Sequence, residues 1–369
     1  MTDFSIVIPN LNQSGFLPWA LESLKSQDKA YYELALMDGG STDGFGQAVK
    51  PYLGMVSWMS IGPDNGQAAA IFEGFERTSG DIMAWLNADD YYFPGAFSWV
   101  EACFENDPDI DVLYGDAVHV DENGFFISYF PHTRAFDPDS LPSSCYICQP
   151  ACFVRRRAYE SAGGVNPDLC YTMDWDLWCR LAQNGAKFRY LPKLLAAVRY
   201  YRGTKTSSCD PIRYREIRRI ERMYKKTSLP LSWLGFYLND LAEKESRQVN
   251  DIPTFLVLSA LKRFKHAWGG GHHDSLNRMA DKNEGRIRIP WYDSRQWKKL
   301  HLELEPDNIG YRVEIDGRHE FSVFPDKGRF TIKFSESYEL ESIQKERTVS
   351  IQPLVVGKPW KLLRFFCDT

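Results

Sequence analysis

Between Phe4 and Tyr114 short apolar runs alternate with stretches of helical spacing, and this alternation constrains the fold more than any other feature. Phe4–Pro9 (FSIVIP) reads as a buried strand, rich in β-branched residues and closed by proline. Asn12–Gln27 reads as a helix, with Ser14 as its N-cap and Leu17, Leu21 and Leu24 on one face. Further strands are predicted at Glu33–Asp38, Val56–Ile61, Asp81–Leu86 and Asp111–Tyr114, and helices at Gln67–Arg77 and Gly95–Glu105. Strand and helix in turn build a mostly parallel sheet with helices on both faces. Alternation then breaks. Val118–Val120 and Phe125–Tyr129 flank Asp121-Glu122-Asn123-Gly124, whose Asn-Gly predicts a hairpin and so an antiparallel part of the sheet. Trp175–Gln183 is predicted helical and Leu195–Tyr201 extended.

From Pro211 the pattern is helical, over Ile212–Lys226, Leu231–Arg247 and Pro253–Trp268, until Gly269-Gly270-Gly271 marks a linker. From about Gly285 it becomes period two, in Arg286–Ile289, Leu300–Leu304, Tyr311–Ile315, Phe330–Phe334 and Val349–Gln352, with Asp316-Gly317 and Asp326-Lys327-Gly328 between runs. The expected organisation is an α/β domain over 1–210, a helical extension over 211–268, a linker over 269–284 and a β-sandwich-like domain over 285–369.

Charge narrows the function. Lys+Arg number 44 and Asp+Glu 49, a net −5 that argues against a protein built to coat nucleic acid. The charge is uneven: residues 1–100 hold 4 basic and 12 acidic side chains, residues 211–266 hold 12 basic and 6 acidic. No apolar run reaches the roughly 18 residues of a spanning helix. Met1-Thr2-Asp3-Phe4 enters a strand without a basic leader region, and the eight cysteines are irregularly spaced; a cytoplasmic chain with reduced thiols is expected. Cys145, Cys148 and Cys152 lack the further His or Cys that a zinc site needs at usual spacing. Trp175, Trp178, Tyr171 and Tyr146 are candidates to line a cleft, with core packing as the plainer reading.

Carboxylates stand where an open α/β sheet binds ligands, at the carboxyl ends of its strands. Asp38 closes the second strand, Asp89-Asp90 follow the fourth, and Asp174 and Asp176 lie in Met173-Asp174-Trp175-Asp176. Adjacent acids stay ionised most easily around a hard cation, manganese or magnesium, whose shell a substrate phosphate completes. The plainer reading of Asp89-Asp90 and of Asp174 is helix capping.

Ser5–Pro9 with Asn12, Met37–Gly44, Gly80–Asp90 with Pro94-Gly95-Ala96, and Met173–Trp178 together resemble glycosyltransferase family 2 over roughly residues 4–206. The resemblance implies a GT-A fold and an inverting, nucleotide-sugar-dependent transferase that uses a divalent metal. It implies that Pro9 and Asp38 flank the nucleotide base, that Asp89 lies near the ribose and diphosphate, and that Asp90, with Asp89, holds the metal. Asp174 would be the catalytic base, with Asp176 as the alternative. Asn12, Gly66, Gln67 and Asn87 would contact the donor, and Lys205 or Arg202 its phosphates, with solvated loop cations as the plainer reading of those two. Gln149-Pro150 and Arg155-Arg156 resemble the segment leading to the acceptor side. The chain departs from the family at Ala69 and Phe72, where Asp and Asn are usual, and at Tyr201, where a His is common. A uridine-based donor and a glycan or lipid-linked glycan acceptor of a bacterial surface polysaccharide are the expected partners, and nucleic acid is not. The basic amphipathic stretch 252–268 is either a peripheral membrane contact at the inner face of the cell membrane or a helix packed on the catalytic domain. The rival reading is a catalytically decayed glycan-binding or scaffold protein.

Overall fold

The computed structural model describes residues 3–27, 31–122, 124, 126–201, 203–205, 210–227 and 229–245, and six strand segments between 299 and 368. Four parallel strands, β1 (Asp3–Asn10), β2 (Tyr31–Asp38), β3 (Trp58–Ile61) and β4 (Ile82–Trp85), lie in the order β3-β2-β1-β4. The sheet continues through β8 (Cys152–Arg155), β6 (Val112–Val120), β9 (Phe188–Arg199) and β5 (Tyr91–Tyr92), with β7 (Phe126–Tyr129) on β6. β8 runs antiparallel to both β4 and β6, so the sheet is mixed. This is the α/β architecture that the alternation predicts.

Phe4–Asn10 is buried throughout, as a strand covered on both faces must be. Alternate side chains divide between two apolar layers. Phe4, Ile6 and Ile8 meet Leu34, Leu36 and the helices α1 (Leu17–Lys25) and α4 (Ala96–Asn106). Val7, Ala35 and Met37 meet α3 (Gln67–Glu76) and, farther along, α6 (Met173–Gln183) and α7 (Pro211–Tyr224). Helix α3 lies close on the sheet: a Cβ on Gly74 would stand 2.6 Å from Val7 Cγ1. Short helices α2 (Phe45–Val49) and α5 (Arg156–Ser161) fill connections, and α8 (Ser232–Glu245) follows α7.

Several boundaries differ from the sequence reading. Helix α1 begins at Leu17, and Ser14 does not cap it; the Ser14 hydroxyl donates to Asp43 at 2.6 Å instead. The runs at 111–114 and 118–120 belong to one strand, β6, across Gly115, where a Cβ would meet Leu195 Cδ1 at 2.6 Å. The antiparallel β8 has only four residues and no alternating pattern to announce it. Trp175, Trp178 and Tyr146 are buried in the core, with Trp178 stacked on Trp85 at 5.8 Å, so none of the three lines an open cleft.

Beyond α8, the strands β10 (Lys299–Glu305), β13 (Arg329–Lys333) and β15 (Lys361–Asp368) form one antiparallel sheet. β11 (Tyr311–Ile315), β12 (His319–Val323) and β14 (Val349–Pro353) form another. The helix expected at 253–268, the glycine linker and the run at 286–289 lie outside the described residues. No helix among the described residues is long and apolar enough to cross a membrane.

Candidate active site

Because β2 lies on one side of β1 and β4 on the other, a crevice opens at the carboxyl ends of these strands. Asn10 ends β1, Asp38 ends β2, and Asn87–Asp90 follow β4. Three groups of side chains are built there.

The first centres on Asp38, which is buried. Its Oδ1 accepts from Asn10 Nδ2 and Ser41 Oγ, both at 2.6 Å. Its Oδ2 accepts from the Gly40 and Ser41 amides at 3.2 and 3.0 Å. Gly40 adopts φ +90°, which lets the backbone fold onto the carboxylate. Exposed Asn12, at φ 52°, ties the same loop down: its amide donates to Ser41 Oγ at 2.8 Å and its Oδ1 accepts from Thr42 N at 2.9 Å. Pro9 is buried in β1 opposite Met37. Beside Asp38 lies a cavity of about 250 Å³, lined by Ser60, Pro63, Asp64, Ala69 and Glu73 among others. Gly66, at φ +98°, opens α3 beside it, its amide held by Asp64 Oδ1 at 2.8 Å.

The second group is a chain of hydrogen bonds. Lys205 Nζ donates to Gln67 Oε1 at 2.8 Å, and Gln67 Nε2 donates to Asn87 Oδ1 at 2.7 Å. Asn87 Nδ2 donates to Asp90 Oδ2 at 2.9 Å, and the Arg199 amide donates to Asp90 Oδ1, also at 2.9 Å. Gln149 supports Asn87 from below, with its Nε2 on Trp85 O at 2.6 Å. Asp90 is thus buried with both oxygens engaged, and burial plus the Asp89 charge push its carboxyl well above the usual range. Asp89, by contrast, is half-buried; it takes a long contact from Tyr201 Oη at 3.5 Å and feels the Arg199 charge. Burial also raises Asp89. Arg199, buried among Phe16, Trp19 and Tyr91, is the nearby positive charge.

Asp89 is the carboxylate here that would be open to a divalent cation. Among the described residues no three His, Cys, Asp or Glu side chains converge on a metal position. A single accessible carboxylate suits a hard cation that takes most of its ligands from water and substrate phosphate.

The third group carries Asp174, in the first turn of α6. Asp174 Oδ1 accepts from Trp175 N at 2.7 Å, yet burial, with a smaller push from the Glu216 charge, raises its carboxyl to about 6. Asp176 is different. Its Oδ2 is 2.9 Å from Arg180 Nε and its Oδ1 accepts from Tyr224 Oη at 2.7 Å. It is buried and joins α6 to α7. Asp176→Asn is expected to cost about 1–2 kcal/mol of stability, by denaturant unfolding, and to leave the chemical step intact. Arg155 and Arg156 also turn inward, toward Ile110, Asp81, Gly80 and Ser5 at the opposite end of the sheet.

Sequence reasoning misses the residues that hold the Asp174 turn. Glu216 of α7 is buried and accepts from the amides of Cys170, Tyr171 and Thr172 at 2.9, 2.9 and 3.0 Å, and from Thr172 Oγ1 at 3.1 Å. Asp210, which caps α7, accepts from Tyr171 Oη at 2.8 Å. Lys205 Nζ donates to Cys170 O at 3.3 Å, linking this turn to Gln67 and the second group. The only available signal was two acids on the apolar face of an otherwise basic helix.

Comparison with known proteins agrees with this geometry. Residues 5–163 match the model described as Glycosyl transferase family 2. A PGL/p-HBAD biosynthesis glycosyltransferase of Mycobacterium bovis is 32% identical over 213 residues, covering 56% of this chain and 80% of that protein. A chondroitin synthase of Escherichia coli is 26% identical over 242 residues, 63% of this chain and 33% of that protein. Residues 1–349 of S. aureus TarS, solved with UDP-GlcNAc, share the fold at a TM-score of 0.51 and 18% identity, over 65% of this chain and 71% of that one. A mixed sheet with its polar groups gathered at the β1–β4 crevice, and a relative aligned over most of its length, place the chain in glycosyltransferase family 2, as a glycosyltransferase of GT-A-like fold.

Proposed function

We propose that the chain moves a sugar from a uridine diphosphate sugar to a hydroxyl of a glycan or lipid-linked glycan, with inversion at the transferred carbon. The observation that carries this reading is the hydrogen-bonded chain from Asn87–Asp90 through Gln67 and Lys205 to the turn before Asp174. It joins a polar donor crevice to a half-buried carboxylate. The cavity beside Asp38 receives the nucleotide base, with Pro9 behind it and Asn12 holding the loop. Gln67, Asn87 and Lys205 orient the diphosphate, and the Lys205 ammonium offsets its charge. A manganese or magnesium ion held by Asp89 would neutralise charge on the departing diphosphate. Asp174 removes the proton of the attacking hydroxyl, and a carboxyl raised to about 6 is ionised at neutral pH yet a stronger base than an exposed one. A single displacement follows, because one base serves one face of the sugar.

A transferase role accords with the mycobacterial relative, which is named as a PGL/p-HBAD biosynthesis glycosyltransferase. The two C-terminal sheets would pack as a sandwich and serve as a carbohydrate-binding or protein-interaction module. Calorimetry with uridine, guanosine and thymidine diphosphates, with and without manganese, tests the donor. Manganese-dependent binding of the uridine nucleotide is expected, and Asp89→Asn should weaken it by at least about tenfold. No binding of any nucleotide with manganese present would favour the glycan-binding scaffold.

A further inference from the structure

Helix α7 (PIRYREIRRIERMY) has two sharply different faces. Tyr214, Glu216, Ile217, Ile220 and Glu221 are buried. Arg215, Arg218, Arg219 and Arg222 are exposed together on the other side, at the spacing that places them on one helical face. Exposed apolar side chains edge and extend that face: Ile212, Met223 at 48% and, just past the helix, Leu229 at 67%. Lys226 adds an exposed cation, while Lys225 pairs with Glu221 at 3.8 Å. Both acids of α7 are consumed inside, Glu216 by the 170–172 turn and Glu221 by the Ser232 amide and hydroxyl at 2.8 and 2.6 Å. The outward face of α7 therefore presents four guanidinium groups and no carboxylate of its own. Arg218 lies over Trp233 at 5.4 Å and Arg219 Nε is 3.5 Å from Met223 Sδ; neither contact neutralises charge.

In a chain of net charge −5 this concentration of cations is selective for an anionic surface. The interleaved apolar residues choose among such surfaces. A soluble polyanion gains nothing from Ile212, Met223 and Leu229, whereas a bilayer accepts apolar groups below the phosphates that bind arginine. We propose that the exposed face of α7 docks the protein on an anionic lipid bilayer. The opposite face of the same helix grips the turn that carries Asp174, so docking would hold the acceptor side of the cleft in a fixed relation to the membrane. This goes beyond the donor and acceptor reading and does not depend on it.

The test is sedimentation of the full chain with vesicles of phosphatidylcholine alone or mixed with phosphatidylglycerol. Binding only to the anionic vesicles, weakening as salt rises, is expected. Reversing three charges, in Arg215→Glu/Arg219→Glu/Arg222→Glu, should lower the partition coefficient by about a hundredfold or more. The milder Arg219→Gln/Arg222→Gln should lower it by roughly tenfold with the melting temperature and uridine diphosphate affinity unchanged, which reads the surface separately from the donor site. The proposal is overturned by equal vesicle binding of the wild type and the triple variant. It is overturned also if a soluble polyanion such as heparin binds as tightly as the vesicles and binding ignores Leu229→Ser.

Discussion

Asp174→Asn is expected to lower kcat for sugar transfer by about 10²–10⁴-fold while leaving the donor KM near its wild-type value. The asparagine oxygen can still accept from Trp175 N, so the first turn of α6 keeps its geometry and only the proton acceptor is lost. In the wild type, the acid limb of kcat against pH should fall near 6, because burial raises the carboxyl from 3.8 to about 6. The same shift has a sign for stability. Between pH 3.8 and 6 the native state holds a proton that the unfolded chain has released, so stability falls as pH rises through that window. The full cost of ionising Asp174 at neutral pH is about 3 kcal/mol on this argument. Asp174→Asn should therefore be more stable at pH 7 by about 1–2 kcal/mol in urea unfolding, and no more stable at pH 3. An inactive protein that is also less stable at pH 7 would show that Asp174 serves the fold and not the chemistry.

What could be read from the sequence follows from how local its causes are. The parallel strands β1, β2 and β4 announce themselves because each is an apolar run followed by polar turn residues, and those turns are the site. Asp38, Asn87, Asp89 and Asp174 were therefore legible as a set of residues at the ends of elements. Their orientation was not. That Asp90 has both oxygens engaged depends on the Arg199 amide, 109 residues away along the chain. Asp174 and Asp176 differ by two positions in one helix, and it is the arrival of Tyr224, 48 residues away, that makes Asp176 a tie between two helices. The strand β8 escaped notice for the same reason: four residues become a strand because β4 and β6 leave a gap for them. Non-local partners decide all three cases.

Glu216→Ala should be the most destabilising single change at the site. The carboxylate accepts three backbone amides and one hydroxyl where the chain turns into α6, and all four donors would lose their partner together. A buried donor left unsatisfied costs about 1–3 kcal/mol, and since the four act as one unit a total of about 4 kcal/mol is expected. Thermal unfolding should register this as a fall of about ten degrees. Glu216→Gln separates structure from chemistry. It keeps one acceptor oxygen but places an amide NH₂ against the remaining backbone N–H groups, so about half of the destabilisation should persist. It also removes the negative charge that helps to raise Asp174, so the acid limb of kcat should move to lower pH. Affinity for uridine diphosphate, which is proposed to bind at the Asp38 cavity and Asn87–Asp90, should stay unchanged. A Gln variant with a lower melting temperature but an unmoved acid limb would make Glu216 a structural brace without influence on the base. A shifted limb would mean that α7, beyond the residues matched by the family model, tunes the proton transfer of the catalytic domain.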